Sequence, residues 1–414
     1  MSYPRVVVTG LGAVTPIGGN VNEFWKALIS GQSGVDKITT FDPHQFDARI
    51  AGEVKNYDPK ATIPMKESRR MERFCQFGVT AAQEAFKDSG IDMSKEDPFE
   101  AGVLIGSGIG SLRIVEETHS LYLEKGPDKF SPFMIPLLII NMASGWTSIL
   151  LGLKGPNLAV VTACATGTHA IGEAYRMIQH GQAKIMVAGG TESCITPLGI
   201  GGFCALKALS TRNDDPKGAS RPFDRERDGF VMGEGAGVVV LEELEHAKAR
   251  GAHIYGEVAG YALNGDAFHM TAPRPDGEGA AHCMAGALKD AKMRPEEIHY
   301  INAHGTSTEL NDKIETLAIK TVFGDNAKKI PISSTKSMTG HTLGAAGGIE
   351  FVACAMSLKH QMVHPTINLT HPDPECDLDY VPNTARKAKV EACLSNSLGF
   401  GGHNTSIIIR KFQG

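Results

Sequence analysis

Cys164 lies in Thr162-Ala163-Cys164-Ala165-Thr166-Gly167-Thr168-His169, where a β-like run gives way to a helical pattern. A cysteine on such a turn meets the unpaired N–H groups and the positive dipole end of the helix. Both favour the thiolate, the nucleophilic form. The small neighbours Ala163, Ala165 and Gly167 leave room for a substrate beside the sulfur. The placement is analogous to a nucleophile elbow built around sulfur. A buried, inert cysteine is the competing reading of this segment by itself.

Two histidines stand in similar surroundings. His304 follows a β-like run in Asn302-Ala303-His304-Gly305-Thr306-Ser307-Thr308, and His341 precedes a helical pattern in Thr339-Gly340-His341-Thr342-Leu343-Gly344. A helix N-terminus disfavours the imidazolium, so neutral rings are expected. Two neutral N–H donors meeting at one carbonyl oxygen would stabilise an enolate. Taken singly, each also suits an ordinary surface or core histidine. Lys336 precedes His341 by five residues. It either tunes a nearby histidine or thiolate, or is an exposed lysine. Gly399-Phe400-Gly401-Gly402-His403-Asn404 reads as a glycine-rich turn before a strand. Its backbone N–H groups can supply half of an oxyanion hole, and Phe400 is placed to swing as a gate.

Other glycine-rich segments carry less chemistry. Residues 6–15 resemble a dinucleotide fingerprint, but Thr15 replaces the third glycine and no acidic strand end follows. Gly106-Ser107-Gly108-Ile109-Gly110 lacks the lysine and hydroxyl of a phosphate loop. The eight cysteines form no Cys-x-x-Cys pair, so no metal site is expected.

These groups need rigid elements to bring them together. Apolar runs alternate with helical patterns, the signature of an α/β chain. Strands are expected at residues 5–9, 101–105, 158–162, 185–189, 237–241, 256–262, 298–302 and 405–409. Helices are expected at residues 22–31, 72–89, 167–180, 279–291, 312–322 and 347–359. Residues 158–181 and 332–359 repeat one strand–turn–helix plan, which points to two similar fused halves. The helical pattern at 242–250, stopped by Gly251, marks the boundary: residues 1–251 carry the cysteine and 252–414 carry both histidines.

The chain has 414 residues and a formal charge of −5, too balanced for a nucleic-acid binder or an acidic tail. Residues 130–153 contain no charge but include prolines and polar groups. A buried helical region in a core or subunit interface is expected there rather than a membrane span. The first residues run into Val6-Val7-Val8, which reads as a strand and not a signal peptide. A cytoplasmic, reducing location is therefore expected.

The set Cys164, His304, Lys336, His341 and Gly399-Phe400-Gly401-Gly402 resembles the elongating β-ketoacyl-acyl-carrier-protein synthases, most closely the synthase II group. The likeness runs from Val8-Thr9-Gly10 to the last strand, with support from Arg221-Pro222-Phe223-Asp224 and residues 229–237. It implies the thiolase-like fold, five αβαβα layers from two duplicated halves, in a homodimer. It implies decarboxylative condensation of malonyl thioester with an acyl chain held on Cys164. Backbone N–H groups of Cys164 and Phe400 would form the oxyanion hole. His304 and His341 would bind the malonyl carbonyl, with Lys336 orienting them and Glu350 organising the region. No cofactor is implied, because the phosphopantetheine arm arrives on the acyl carrier protein. Thr306 and Thr308 resemble the pair that bonds this arm. Ile109 and Phe203 match residues bordering the acyl pocket, and Gly401 counts among the substrate-contacting residues of the glycine-rich turn.

Acyl carrier proteins are acidic. Lys66, Arg69, Arg70 and Arg73 fall on one face if their segment is helical, and such a face would dock an acidic helix. The resemblance leaves other readings to weigh. A non-catalytic chain-length subunit would lack the cysteine. An iterative polyketide ketosynthase would share the site. A cysteine hydrolase using Cys164 and His304 would release free acid.

Overall fold

The computed structural model describes residues 3–414. Ten strands form the principal sheet. In chain order they are β1 (Val6–Val14), β2 (Ala101–Gly106), β3 (Asn157–Leu158), β4 (Ile185–Glu192), β5 (Gly235–Glu243), β6 (Gly256–Gly265), β7 (Tyr300–Asn302), β8 (Ile332–Ser333), β9 (Ala392–Gly399) and β10 (His403–Arg410). Their spatial order is β8-β7-β9-β10-β6-β1-β5-β4-β2-β3.

That order contains one pattern twice. Reading outward from β1, the first half runs β1-β5-β4-β2-β3. Reading outward from β6, the second runs β6-β10-β9-β7-β8. In each half the first strand pairs antiparallel with the fifth, the fifth antiparallel with the fourth, and the rest are parallel. The halves join where β1 pairs with β6 through Val6–Val258, Val7–Glu257 and Val8–Gly256.

The helices of ten or more residues are α1 (Arg73–Ser89), α2 (Leu112–Lys125), α3 (Met142–Leu151), α4 (Thr166–Gln179), α5 (Glu278–Ala291), α6 (Glu309–Phe323) and α7 (Ala346–His360). Helix α1 packs on β1, β4 and β5, and α5 packs on β6 and β10. Helices α4 and α7 touch each other and strands of both halves, so they form the middle layer. Their sequences show why. Every residue of α7 from Ala346 to Leu358 is buried, Glu350 being the one charged side chain among them, and the small residues Ala346, Gly347 and Gly348 open its first turn. A helix that is apolar all round belongs in a core. A Cβ on Gly348 would sit 2.1 Å from the Gly237 carbonyl oxygen, so only glycine allows α7 this close to β5.

The thiolase-like five-layered architecture expected from sequence is therefore present, with one departure in its strands. Of the third expected strand, 158–162, only Leu158 pairs with β2, joined by Asn157 just before it. The Thr162 N–H goes instead to the Thr166 hydroxyl at 2.9 Å, and the chain turns directly into α4. The uncharged stretch 130–153 is not buried within the chain. Phe130, Phe133, Ile135, Ile139 and Ile149 are exposed, Ile149 to 66%. Only Ala143, Ser144 and Thr147 of α3 are buried, because one stripe of this helix meets the sheet and the other meets nothing in this chain. Among the described residues, no helix is long and apolar enough to cross a membrane.

Candidate active site

Cys164 occupies a 3-10 turn, Ala163–Ala165, that runs straight into α4. Ala163 adopts φ +50°, and Leu343 adopts φ +48° at the matching turn before α7. Both are non-glycine residues in the left-handed region, a strain that persists only where the surroundings enforce it. Gly399 permits the closest approach. A Cβ there would lie 2.7 Å from the Thr162 oxygen and 3.3 Å from the Cys164 nitrogen. The turn after β9 thus packs onto the cysteine turn, and the N–H groups of Phe400 and Cys164 both face the sulfur.

The two histidines enter from the other half. His304 follows β7, and His341 lies just before α7. Their ring centroids are 5.4 Å apart and nearly perpendicular. Together with Cys164 and Phe400 they line one cavity of about 400 Å³. The sulfur and both imidazoles therefore share one chamber, as the sequence reading requires.

Buried acids and Lys336 fix the rings. Glu315 accepts the backbone N–H groups of His304 and Gly305, each at 2.8 Å. Lys336 is buried, contrary to the exposed alternative, and its Nζ donates to the His304 carbonyl oxygen at 2.6 Å and to Glu350. The Leu343 N–H donates to His341 Nδ1 at 3.3 Å, which leaves the ring proton on Nε2 in the neutral tautomer. Phe230 packs edge-on against His341 at 5.3 Å.

The electrostatics match one expectation and correct another. Both histidines titrate well below the ordinary imidazole range, so the rings are neutral. Burial is the first cause and the Lys336 charge the second, rather than the helix terminus alone. The Cys164 thiol moves the other way from the expected thiolate. Burial pushes it up to about 12, while Lys336 and the N–H of Phe400 pull it back. The resting sulfur carries its proton.

The structure sorts the remaining expected residues. Thr306 and Thr308 line the cavity, and their hydroxyls bond each other at 2.9 Å. Phe203 lines it too, 6.3 Å from the Phe400 ring. Ile109 packs in the apolar cluster that holds Cys164 and Phe203. Gly401 does not line the cavity: it is exposed, and its N–H donates to the Met270 oxygen at 2.7 Å. The four basic residues do not share one helix face. A short helix, Met65–Ser68, ends at Arg69, and α1 restarts at Arg73. Lys66, Arg69 and Arg70 are exposed, but Arg73 grips the buried Glu234 at 2.6 Å and the Val54 oxygen at 2.7 Å. Arg73 is a structural residue, because its charge is already neutralised inside the fold.

With this geometry in place, comparison with known proteins is direct. The family described as "Beta-ketoacyl synthase, N-terminal domain" matches residues 4–247, and its C-terminal counterpart matches residues 255–370. The chain belongs to the β-ketoacyl synthase family. It is 56% identical over 409 residues to "3-oxoacyl-[acyl-carrier-protein] synthase 2" of Synechocystis sp., covering 99% of this chain and 98% of that relative. It is 53% identical to the protein of the same name from Coxiella burnetii, covering 99% of each. Among solved structures, a β-ketoacyl synthase from Burkholderia phymatum superposes with a TM-score of 0.92 at 39% identity, covering 99% of this chain and 100% of that one. A type II PKS ketosynthase bound to the hexaketide, in complex with its acyl-carrier protein, superposes at 0.93 and 41% identity over the whole of both chains.

Sequence reasoning missed two groups that this β-ketoacyl synthase uses to hold its site. Glu315 sits in α6 beside the apolar positions Ile314, Ala318 and Ile319, and an acid inside that stripe was the available signal. Arg227 is buried and donates to the carbonyl oxygens of Thr308 and Glu309, each at 3.0 Å, and to Asp373 at 2.8 Å. It holds the threonine loop from below, and nothing in its local sequence shows a partner so distant.

Proposed function

We propose that this chain is a 3-oxoacyl-[acyl-carrier-protein] synthase acting in fatty acid elongation, with Cys164 as nucleophile. It is a ketosynthase, an acyltransferase that joins a two-carbon unit to an acyl chain. The observation that carries the site assignment is the single chamber shared by the Cys164 thiol, two aimed backbone N–H groups and two neutral imidazoles.

The steps follow from that geometry. The Cys164 sulfur attacks the acyl thioester, and the carrier thiol leaves with the proton. The N–H groups of Cys164 and Phe400 stabilise the oxyanion of the tetrahedral intermediate. The malonyl thioester then enters, with its carbonyl oxygen toward His304 and His341. Loss of carbon dioxide leaves its electron pair in the enolate, which neutral N–H donors stabilise without giving up a proton. The enolate carbon attacks the acyl-cysteine carbonyl, the C–S bond breaks, and 3-oxoacyl thioester departs. Decarboxylation supplies the carbanion, so no strong base is needed. On this reading the pantetheine arm comes on the carrier and bonds to the hydroxyls of Thr306 and Thr308, and no resident cofactor takes part.

Acyl- and malonyl-loaded carrier proteins are the partners, and exposed Lys66, Arg69 and Arg70 suit an acidic surface. The open stripe of α3 and the edge strand β3 support a homodimer. All eight cysteines are free thiols, which supports a reducing cytosol.

The test is product analysis after mixing the protein with acyl- and malonyl-carrier protein. Mass spectrometry should find 3-oxoacyl-carrier and carbon dioxide in equal amounts. Free acid without a longer chain would indicate a cysteine hydrolase and reject condensation. The 41% identity to the hexaketide-bound ketosynthase keeps an iterative polyketide synthase as the second reading, and products extended by several unreduced units would favour it.

A further inference from the structure

Glu192 ends β4 with its side chain fully buried. Its carboxylate gathers donors from two distant turns. Ser107 donates its hydroxyl at 2.6 Å, and the N–H groups of Gly108 and Ile109 donate at 2.8 and 3.3 Å. The Gly344 N–H donates from the other half at 3.0 Å. The first turn carries Ile109. The second follows His341 directly, and its Leu343 N–H fixes the His341 ring.

The two turns are in close contact. A Cβ on Gly344 would lie 2.3 Å from the Gly108 nitrogen and 2.8 Å from Glu192 Oε2. A Cβ on Gly108 would lie 2.7 Å from Glu192 Oε2 and 3.3 Å from the Ala163 oxygen, beside the nucleophile. No lysine or arginine pairs with Glu192 among the described residues, so only neutral donors satisfy it. A buried acid held this way is costly unless those bonds are needed, and an apolar side chain would pack at lower cost.

We propose that Glu192 is a positioning residue that locks the turn of Ile109, which packs in the apolar cluster around Cys164, to the His341 turn. A chain long enough to press on Ile109 then shifts the turn that carries the imidazole, so chain length is read at the reacting centre. This rests on the ketosynthase reading above. Glu192 lies outside the cavity, across Gly108 from the cysteine turn, and its charge opposes the Cys164 thiolate that Lys336 and the Phe400 N–H favour. His304 and His341 share the cavity with Cys164, and Cys194 lies near both Glu192 and Glu234.

Two readouts on the full chain test this. The first is kcat/KM across acyl chains from short to long. The second is the pH profile of Cys164 alkylation by iodoacetamide, which needs no acyl substrate. Glu192→Gln should change the long-to-short ratio about tenfold, the loss expected for a charge-assisted hydrogen bond. It should also lower the pH midpoint of alkylation, because a like charge beside the sulfur is gone. Glu192→Asp should keep the parent midpoint. Ser107→Ala keeps the charge and should move the ratio the same way, by less. An equal fall for all chain lengths with an unmoved alkylation midpoint would overturn the proposal. Should Glu192→Gln fail to fold, an unmoved ratio in Ser107→Ala would overturn it alone. If the parent protein condenses nothing, the ketosynthase reading falls while the alkylation profile still decides the placement of Glu192.

Discussion

Burial holds the Cys164 thiol up to about 12, so the sulfur must lose its proton as it attacks. The departing carrier thiol takes that proton, while the imidazoles of His304 and His341 stay neutral donors in the same chamber. Lys336 acts on all three groups, pulling the thiol and both imidazoles downward. Lys336→Met should therefore raise the pH midpoint of Cys164 alkylation by about one unit or more. It should also raise the histidine titrations seen by NMR. Unmoved titrations would show that Lys336 acts only through packing. At this scale the sequence exposed Cys164, His304, His341 and the glycine turn one by one, because each stands among small residues, and the family resemblance joined them as a set. It misplaced Gly401 and Arg73, because direction is invisible in one dimension. Gly401 adopts φ +89° and turns its N–H outward, and Arg73 finds Glu234 at a separation of 161 residues.

The central pair α4 and α7 brings the two halves of the site together, and their glycines decide how closely. Gly348→Ala places a methyl against the Gly237 carbonyl and should cost roughly 1–3 kcal/mol or more in urea unfolding. Gly181→Ala, at φ +70° but with open space around it, should cost only about 1 kcal/mol. Equal costs would mean that conformational strain, not the close approach of α7 and β5, governs both. The strand–turn–helix repeat at 158–181 and 332–359 was legible because each half reuses the same turn chemistry, down to the positive φ of Ala163 and Leu343. The early end of β3 was not. β2 runs on to Gly106, but the Ser144 hydroxyl takes the Ile105 N–H and bonds the Leu158 oxygen, and the Thr166 hydroxyl captures the Thr162 N–H, so the ladder stops at Leu158.

Four buried histidines set how the folded molecule answers to acid: His304 and His341, held well below the imidazole range, and His169 and His364. Burial pulls His169 and His364 down to about 4. The unfolded chain binds their protons first, so each should remove stability as pH falls from about 6.5 toward 4, on the order of 2 kcal/mol apiece. His246 works oppositely. Burial opposes its charge, but bonds to Glu96 and Glu242 win and raise its titration, so its contribution is lost as pH rises through its folded value. Thermal melts between pH 7 and 4 should show a net loss, and a flat profile would contradict the burial of His169 and His364. The exposed stripe of α3 predicts that Ile149→Asp shifts the sedimenting species from dimer to monomer. Sedimentation of the parent as a monomer would remove the basis of that dimer. Charge reversal at Arg69 and Arg70 should raise KM for carrier-bound acyl chains and spare small thioester surrogates, whereas equal effects on both would reject docking there. For the uncharged stretch 130–153 the sequence leaves core and subunit interface open, because composition cannot tell a core from a face awaiting a partner, and the exposed side chains exclude the core. The central claim is that Cys164 holds the acyl chain covalently. Intact-mass measurement after incubation with acyl-carrier protein alone should show one acyl adduct, mapped to Cys164, absent from Cys164→Ala and consumed when malonyl-carrier protein is added. An adduct on another residue, or one that persists in Cys164→Ala, would contradict the account.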